Sequence, residues 1–449
     1  MAAGVSHTVR TAQAGALRAR GQQSQARAAY FPQLTANAGY QRTLQSQFSE
    51  IQARDNASNS GGSSGGGSDS SSSGGFGSIG KIFASPVTET ITLNFSQSIF
   101  TAGRLEASNA LAEAARTAAE IGLDGARAQM TLDVAQAYFD AVAAGQLAQI
   151  ADSTLAQTER TLQHTTLAHE VGSASEFDLL RARVARDNQR PVLIQARGNR
   201  DIALLRLRQL LGIPLSQLLA LTTPIRDAGV MATTVTLDRP IEIPGANRAL
   251  VPDTGAARRA PVRQAEANVE AQRAALKAAR WQRLPSMAVT STYQRFGYPE
   301  NGLVPNSLGL FYPNWTVTAG FSFPIFTGGR LAGDRMVAEA NLTEAEETFA
   351  AAKEFAALDA QTAVTQLAQA QAAYAASVGT DEQAAKAYGI AEVRQREGIS
   401  TQVELQQSRT QYEQARLNRV LAAKELEISR LRVALLKDLP LQNATAGRR

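Results

Sequence analysis

The chain repeats itself. The segment Phe95-Ser-Gln-Ser-Ile-Phe-Thr-Ala-Gly-Arg-Leu105 returns 226 positions later as Phe321-Ser-Phe-Pro-Ile-Phe-Thr-Gly-Gly-Arg-Leu331. Gly172-Ser-Ala-Ser-Glu-Phe-Asp-Leu179 returns at the same spacing as Gly398-Ile-Ser-Thr-Gln-Val-Glu-Leu405, and the run ending at Pro214 returns as the run ending at Pro440. One constant offset across three landmarks means two copies of one plan with no net insertion between them. An upstream pair, Tyr30-Phe-Pro32 to Tyr40-Gln-Arg42, matches Arg283-Leu-Pro285 to Tyr293-Gln-Arg295 at an offset of 253. The difference falls where Asn56–Gly80 runs almost purely as Gly, Ser and Asp, the composition of a flexible solvated loop. Each copy begins with a helical stretch, Arg10–Tyr30 or Val262–Gln282. Two extended segments joined by a polar loop follow, then a long proline-free region, a small-residue turn and a returning helix.

The extended segments alternate. Trp315, Val317, Ala319, Phe321, Phe323 and Ile325 are interleaved with Thr316, Thr318, Gly320, Ser322 and Pro324. Ile91, Leu93, Phe95 and Ile99 are interleaved with Thr90, Thr92, Asn94, Ser96 and Ser98. Period two means strands with one apolar and one polar face. The boundaries read as about 34–48, 87–100, 286–296 and 314–326. An ordinary antiparallel sheet with one face on a core gives the same alternation. Strands of ~10 residues whose polar side carries Thr, Ser and Asn fit instead a membrane barrel, apolar toward lipid and polar toward a lumen. Four strands cannot close such a barrel, and open edges cannot face lipid, so several chains must share one. Eight strands leave an interior filled by side chains, and twelve leave a passage.

The helices are long and two-sided. Arg104–His169 and Arg330–Gln395 hold no proline; each would run ~99 Å at 1.5 Å per residue. Charges along both rule out membrane spans, which leaves coiled coils. One stripe at three- and four-residue spacing runs Val134, Ala137, Ala141, Ala144, Ala148, Ala151, Leu155. A second runs Leu132, Phe139, Val142, Leu147, Ile150. Two stripes on one helix require a neighbour on each side, and Ala allows close approach. The returning helices read as 174–211 and 400–437. Pro191 falls inside the first, opposite Leu417 in the second copy, which predicts a kink in one copy only. Gly103 and Gly329 mark the strand-to-helix junctions. At the far turns, Gly172 with Ser173 and Gly398 with Ser400 supply a left-handed residue and a cap.

Composition excludes most chemistry. There are no Cys, so disulfide scaffolds, Cys–zinc sites and thiol catalysis are out. Three His (His7, His164 and His169) do not suggest a metal site or a relay, and no cofactor is implied. His164 and His169 fit surface residues better than a pH sensor. No nucleophile–base set or phosphate loop is present, so an enzyme is not expected. A net charge of +5 over 449 residues is too dilute for a nucleic-acid surface. No run of 18 apolar residues exists, hence no transmembrane helix.

Taken together, Ala29-Tyr-Phe-Pro-Gln-Leu34, Ile99-Phe-Thr-Ala-Gly-Arg104, Ile325-Phe-Thr-Gly-Gly-Arg330, Gln264–Arg280 and the two turn motifs around Gly172 and Gly398 resemble the TolC-like outer membrane efflux proteins, from about residue 10 to 440. The resemblance implies a mainly α fold with a membrane β-barrel part. In a homotrimer, four strands per chain would build a shared 12-stranded barrel, and coiled-coil helices would form an α-barrel through the periplasm. It makes 1–214 the first repeat, 215–261 an equatorial connector, 262–440 the second repeat and 441–449 a tail. Loops Thr43–Pro86 (the Gly/Ser-rich region 43–86) and Phe296–Pro313 would face outside the cell. The turns at Gly172, Ser173, Gly398 and Ser400 would meet a periplasmic adaptor protein and an inner-membrane pump of RND or ABC type.

Carried over by position, the acidic ring at the entrance falls on Glu404 and Gln407, and an interhelical link on Asp178. Gln407 lacks the charge, and Ser400 stands where a linking Arg would be expected. Glu404 also fits an ordinary solvated helix residue. Glu176 and Asp178 also fit first-turn acids favoured by the helix dipole. The strand–helix junctions are Gly103-Arg104 and Gly329-Arg330. The implied function is a passive exit duct of a tripartite efflux pump. A type I protein-secretion channel shares the outline, and a trimeric coiled-coil adhesin would share the helices and strands without needing the repeat. An exported protein needs a signal, and Met1–Arg10 shows none, so the natural start is expected to lie upstream.

Overall fold

A computed structural model describes residues 6–44, 87–222, 255–297 and 311–441. Its elements, in chain order, are α1 (His7–Ala28), β1 (Gln33–Arg42), β2 (Val87–Phe100), α2 (Arg104–Glu170), α3 (Glu176–Leu211), a 3-10 turn (Ala256–Arg258), α4 (Ala260–Trp281), β3 (Ser286–Gly297), β4 (Phe311–Ser322), α5 (Arg330–Arg396) and α6 (Gln402–Leu435). No described helix is long and apolar enough to cross a membrane. Residues 45–86, most of the 215–261 connector and all but the first residue of the 441–449 tail lie outside the described residues.

The chain divides into two compact units, and each sequence repeat contributes to both. One unit holds Gln22–Ala112 and Arg273–Ala340. Its centre is a four-stranded antiparallel sheet in the order β1-β2-β3-β4. The register sorts the residues into two faces. Thr35, Asn94, Thr292 and Thr316 lie in one row, and Asn37, Thr92, Gln294 and Asn314 in the next. The opposite face carries Leu34, Leu93, Phe95, Val317 and Phe321. That apolar face is open: Leu34, Trp315, Val317 and Phe321 are each at least 66% exposed. A sheet that leaves its large apolar side chains uncovered is not sitting on a protein core. β1 ends at Arg42, short of the expected boundary near 48. β4 ends at Ser322, so the alternation through Ile325 overshoots. Pro324, which has no N–H to give a ladder, lies two residues beyond that end.

The strand-to-helix junctions of the two copies use one geometry. Gly103 and Gly329 have φ of 76° and 88°, a left-handed conformation that glycine adopts without strain. Arg104 N donates to Thr101 O at 3.2 Å, and Arg330 N to Thr327 O at 3.1 Å. The junctions differ in what covers them. At Gly103 the Trp281 ring lies so close that an added Cβ would meet it at 2.2 Å, whereas Gly329 has nothing within 4 Å.

The second unit holds Met1–Gly21, Glu113–Gln272 and Asn341–Arg449. The double stripe on α2 packs in two directions there. Ala137 and Ala141 bury against Leu207 of α3, with Ala203, Leu204 and Leu211 around them. Val142 and Ala143 bury against Ala363, Leu367, Ala370 and Tyr374 of α5 and Ala423, Leu426 and Val433 of α6. Neighbouring positions on one helix thus serve different partners, which small side chains permit by letting backbones approach. α3 runs through Pro191 unbroken.

A buried cation closes this unit. Arg259, fully buried, donates to Leu436 O at 3.1 Å, Ala356 O at 3.2 Å and Leu439 O at 3.4 Å. It also pairs with Asp359 at 2.7 Å, and Asp359 shares its charge with Arg432 at 3.1 Å. Ala260 N adds a bond to Lys437 O at 2.8 Å. One fork of donors thus serves two carbonyls at and beyond the end of α6 and one on the side of α5.

Candidate functional site

The far turns are built alike. After α2, Gly172 takes φ 77°, and Ser173 N and Ala174 N both donate back to Ala168 O, at 2.8 and 3.1 Å. After α5, Gly398 takes φ 74°, and Ile399 N and Ser400 N both donate to Arg394 O, at 2.8 and 3.2 Å. A left-handed glycine followed by such a back-bond closes a helix C-terminus. The next helix is capped by Ser175 in the first turn and Thr401 in the second. The expected caps, Ser173 and Ser400, do other work. Ser173 Oγ donates to Ala168 O at 2.9 Å, and Ser400 Oγ to Glu404 Oε2 at 2.7 Å. The cap is the residue immediately before the helix, whose oxygen reaches the amide two or three residues on, and Ser175 and Thr401 hold that place. Asp178 N reaches Ser175 Oγ at 3.1 Å, and Glu404 N reaches Thr401 Oγ1 at 3.3 Å.

Asp178 and Glu404 therefore occupy equivalent positions, three residues into their helices. Asp178 accepts from Ser175 Oγ at 2.6 Å, the reciprocal partner of a cap. The Glu404 carboxylate accepts from Ser400 and lies 3.4 Å from Arg394, both side chains 47% exposed. Both acids are first-turn residues whose carboxylates are engaged within their own turns, and Arg394 balances Glu404 locally. Gln407 is exposed one turn further along α6. His169 Nδ1 lies 3.1 Å from Ala174 O and helps hold the first turn.

Further along the same helices lies a polar layer that sequence reasoning did not find. Gln157 of α2 donates to the Tyr388 hydroxyl and, at 3.4 Å, to Glu392 Oε1, both on α5. Tyr388 stacks on Tyr412 of α6 with ring centroids 5.7 Å apart. Arg409 and Glu413 of α6 approach to 3.4 Å, while Gln189 of α3 reaches Glu413 at 3.4 Å. The Arg409–Glu413 contact brings charges together without a hydrogen bond: Arg409 Nε and Glu413 Oε1 both lack a hydrogen-bond partner. Burial, and then the Glu392 carboxylate, pushes the Tyr388 phenol up to about 12. Burial raises the Glu413 carboxyl against the opposing pull of Arg409. Burial also lowers Arg409, partly offset by Glu413. The layer ties four helices together, and its links between the two repeats, from Gln157 to Tyr388 and Glu392 and from Gln189 to Glu413, join residues 224 to 235 positions apart that sequence spacing could not pair.

The polar sheet face is the other surface a solute could meet. Its described residues are Thr, Asn, Ser, Gln, Gly, Ala and two aromatics, with no charge. Among the described residues, no group of three His, Asp or Glu could hold a metal.

Comparison with known proteins agrees with this geometry. Among solved structures, the chain is similar to the outer membrane protein VceC of Vibrio cholerae, with a TM-score of 0.72 at 19% identity over 97% of this chain and 94% of that one. It is similar to the open state of the Neisseria gonorrhoeae MtrE outer membrane channel, with a TM-score of 0.71 at 20% identity over 98% and 88%. The Campylobacter jejuni CmeC outer membrane channel gives 0.67 at 17% identity over 98% and 85%. No curated protein matches the sequence. The family model for outer membrane efflux protein matches residues 1–213 and 251–436, most of the chain. With an open apolar sheet face, paired repeats and two-sided helices already in place, the chain belongs to the outer membrane efflux protein family, whose members are channels and not enzymes.

Proposed function

We propose that the chain is one third of a passive exit duct of a tripartite efflux pump, carrying solutes from a periplasmic adaptor and inner-membrane pump to the outside. The observation that carries this reading is the sorted sheet: an apolar face left open, a neutral polar face opposite, and four strands among the described residues. Three chains closing their sheets into twelve strands leave no edge in the lipid and a passage inside. The helices then wall a tunnel on the periplasmic side. The turns at Gly172-Ser173 and Gly398-Ser400 form its far rim and the adaptor contact. Glu404 and Gln407 line the entrance, and Asp178 stands at a link between helices. The junctions Gly103-Arg104 and Gly329-Arg330 pass the chain from barrel to tunnel. The duct has no motor and does no chemistry, so energy comes from its partners.

Reconstitution into planar bilayers tests this. Purified trimers are expected to give discrete, long-lived conductance steps, and trimers that insert without conducting would end the duct reading.

A further inference from the structure

Among the described strand residues three are charged: Arg42, Glu89 and Arg295. The register places all three on the apolar face, where Arg42 follows Leu34, Ala36, Ala38 and Tyr40 along β1, and Arg295 follows Tyr293 along β3. The polar face carries none. If these cations only sought water, that face was available. They also sit where each strand ends farthest from its neighbouring helix: Arg42 is the last residue of β1, and Arg295 stands two before the end of β3. Both come from the repeated Tyr-Gln-Arg motif, so each arginine has a tyrosine two residues behind it on the same face. In the second copy, Arg295 Nε donates to the Tyr293 hydroxyl at 2.7 Å, which holds the guanidinium against the sheet.

We propose that these two Tyr-x-Arg pairs are phosphate anchors for a phosphorylated glycolipid of the outer leaflet, bound on the lipid side of the barrel. The proposal rests on the exit-duct reading, which turns the apolar face to lipid and the Arg-bearing ends outward. A charge on a barrel's lipid face is costly at the midplane and nearly free at the interface, where anionic headgroups lie. A guanidinium has five donors, enough to serve the tyrosine and a phosphate together, and it pairs phosphate in bidentate fashion. From the register, the two arginines are four residues apart along the strands and two strands apart across them, ~16 Å between backbones at standard spacings. They are two contacts and not one pocket. Glu89 lies on the same face between them, so each chain keeps one net positive charge there. A trimer would present six anchors around its rim.

The test uses full-length trimers in nanodiscs, titrated with a diphosphorylated glycolipid, the same lipid with its phosphates removed, and inorganic phosphate, and read by native mass spectrometry. The phosphorylated lipid is expected to bind at least tenfold tighter than the dephosphorylated one. R42Q/R295Q should lose that preference, R42K/R295K should keep part of it, and millimolar phosphate should not displace the lipid. Equal binding of the two lipids, or an unchanged preference in R42Q/R295Q, would overturn the anchors. Displacement by inorganic phosphate would overturn the lipid as the ligand. Trimers that insert and conduct while showing any of these results leave the duct standing and remove only the anchors. Failure to insert and conduct removes both.

Discussion

Arg259 is where one substitution should reach furthest. Replacing it with Leu removes donors to Leu436 O, Ala356 O and Leu439 O and the pair with Asp359. Breaking a buried ion pair from one side costs about 3–5 kcal/mol, mostly because the remaining charge is orphaned. Here Asp359 keeps Arg432 at 3.1 Å, which holds the cost toward the lower end. The three carbonyls left without this donor add about 1–3 kcal/mol each where water cannot reach them, and not additively. An estimate of about 3 kcal/mol is therefore conservative, and it corresponds to more than a hundredfold change in a local opening equilibrium. The assay is amide hydrogen exchange on trimers. R259L should speed exchange by at least that factor at the start of α4 and the end of α6, the segments it joins, and leave the sheet unchanged. R259K should fall between, since one ammonium cannot serve three carbonyls and a carboxylate. Adding D359L to R259L should deepen the loss and not recover it, because Asp359 also pairs with Arg432 at 3.1 Å and its removal leaves that largely buried cation without a carboxylate. Exchange in those two segments at the wild-type rate in R259L would refute the argument that this guanidinium holds them.

Three further outcomes follow from residues already described. Gly103→Ala adds a Cβ 2.2 Å from the Trp281 ring at φ 76°, while Gly329→Ala adds one in open space at φ 88°. Both pay about 1–2 kcal/mol for a left-handed alanine; thermal unfolding of the trimers should show G103A clearly below G329A, and equal melting temperatures would contradict the Trp281 contact. Tyr388 ionises near 12 in the fold against 10 when unfolded, so the unfolded state loses its proton first. Stability should then fall by about 2–3 kcal/mol as pH rises from 10 to 12, and Y388F should flatten that fall in a melting-temperature profile. For Glu404, exposed charge effects are worth about 0.2–1 kcal/mol. E404Q should therefore lower cation preference in single-channel recordings by about 1.4- to fivefold. Unchanged selectivity would put the residue off the lumen.

How far the sequence carried depended on the range of each interaction. The two turns were legible because helix termination is local: a glycine, then a hydroxyl three residues before an acid. The choice of cap was missed by two residues in the first copy and one in the second, because Ser173 and Ser175, and Ser400 and Thr401, all carry the right oxygen. Period two revealed both sheet faces, but not that β4 would stop before Pro324. The double stripe on α2 announced two neighbours, since packing against each leaves its own mark at helical spacing. Arg259 and the Tyr388 layer left no such mark. The hydrogen-bond partners of Arg259 and the Gln157 partners of the layer lie 97 to 235 positions away, and one Arg or Tyr reads the same whether it faces water or packed helices. Glu404 was legible as a charge but not as one already balanced by Arg394.

On the exit-duct reading, the neutral face of the sheet has a consequence for traffic. Hydroxyls and amides such as Thr35, Asn94, Thr292 and Thr316 exchange hydrogen bonds with a passing solute about as water does, and no fixed charge holds it back or draws it on. A wall of this kind offers no resting place, so flux along it should rise in proportion to concentration without saturating. On that reading the described strands screen a solute by bulk and not by charge.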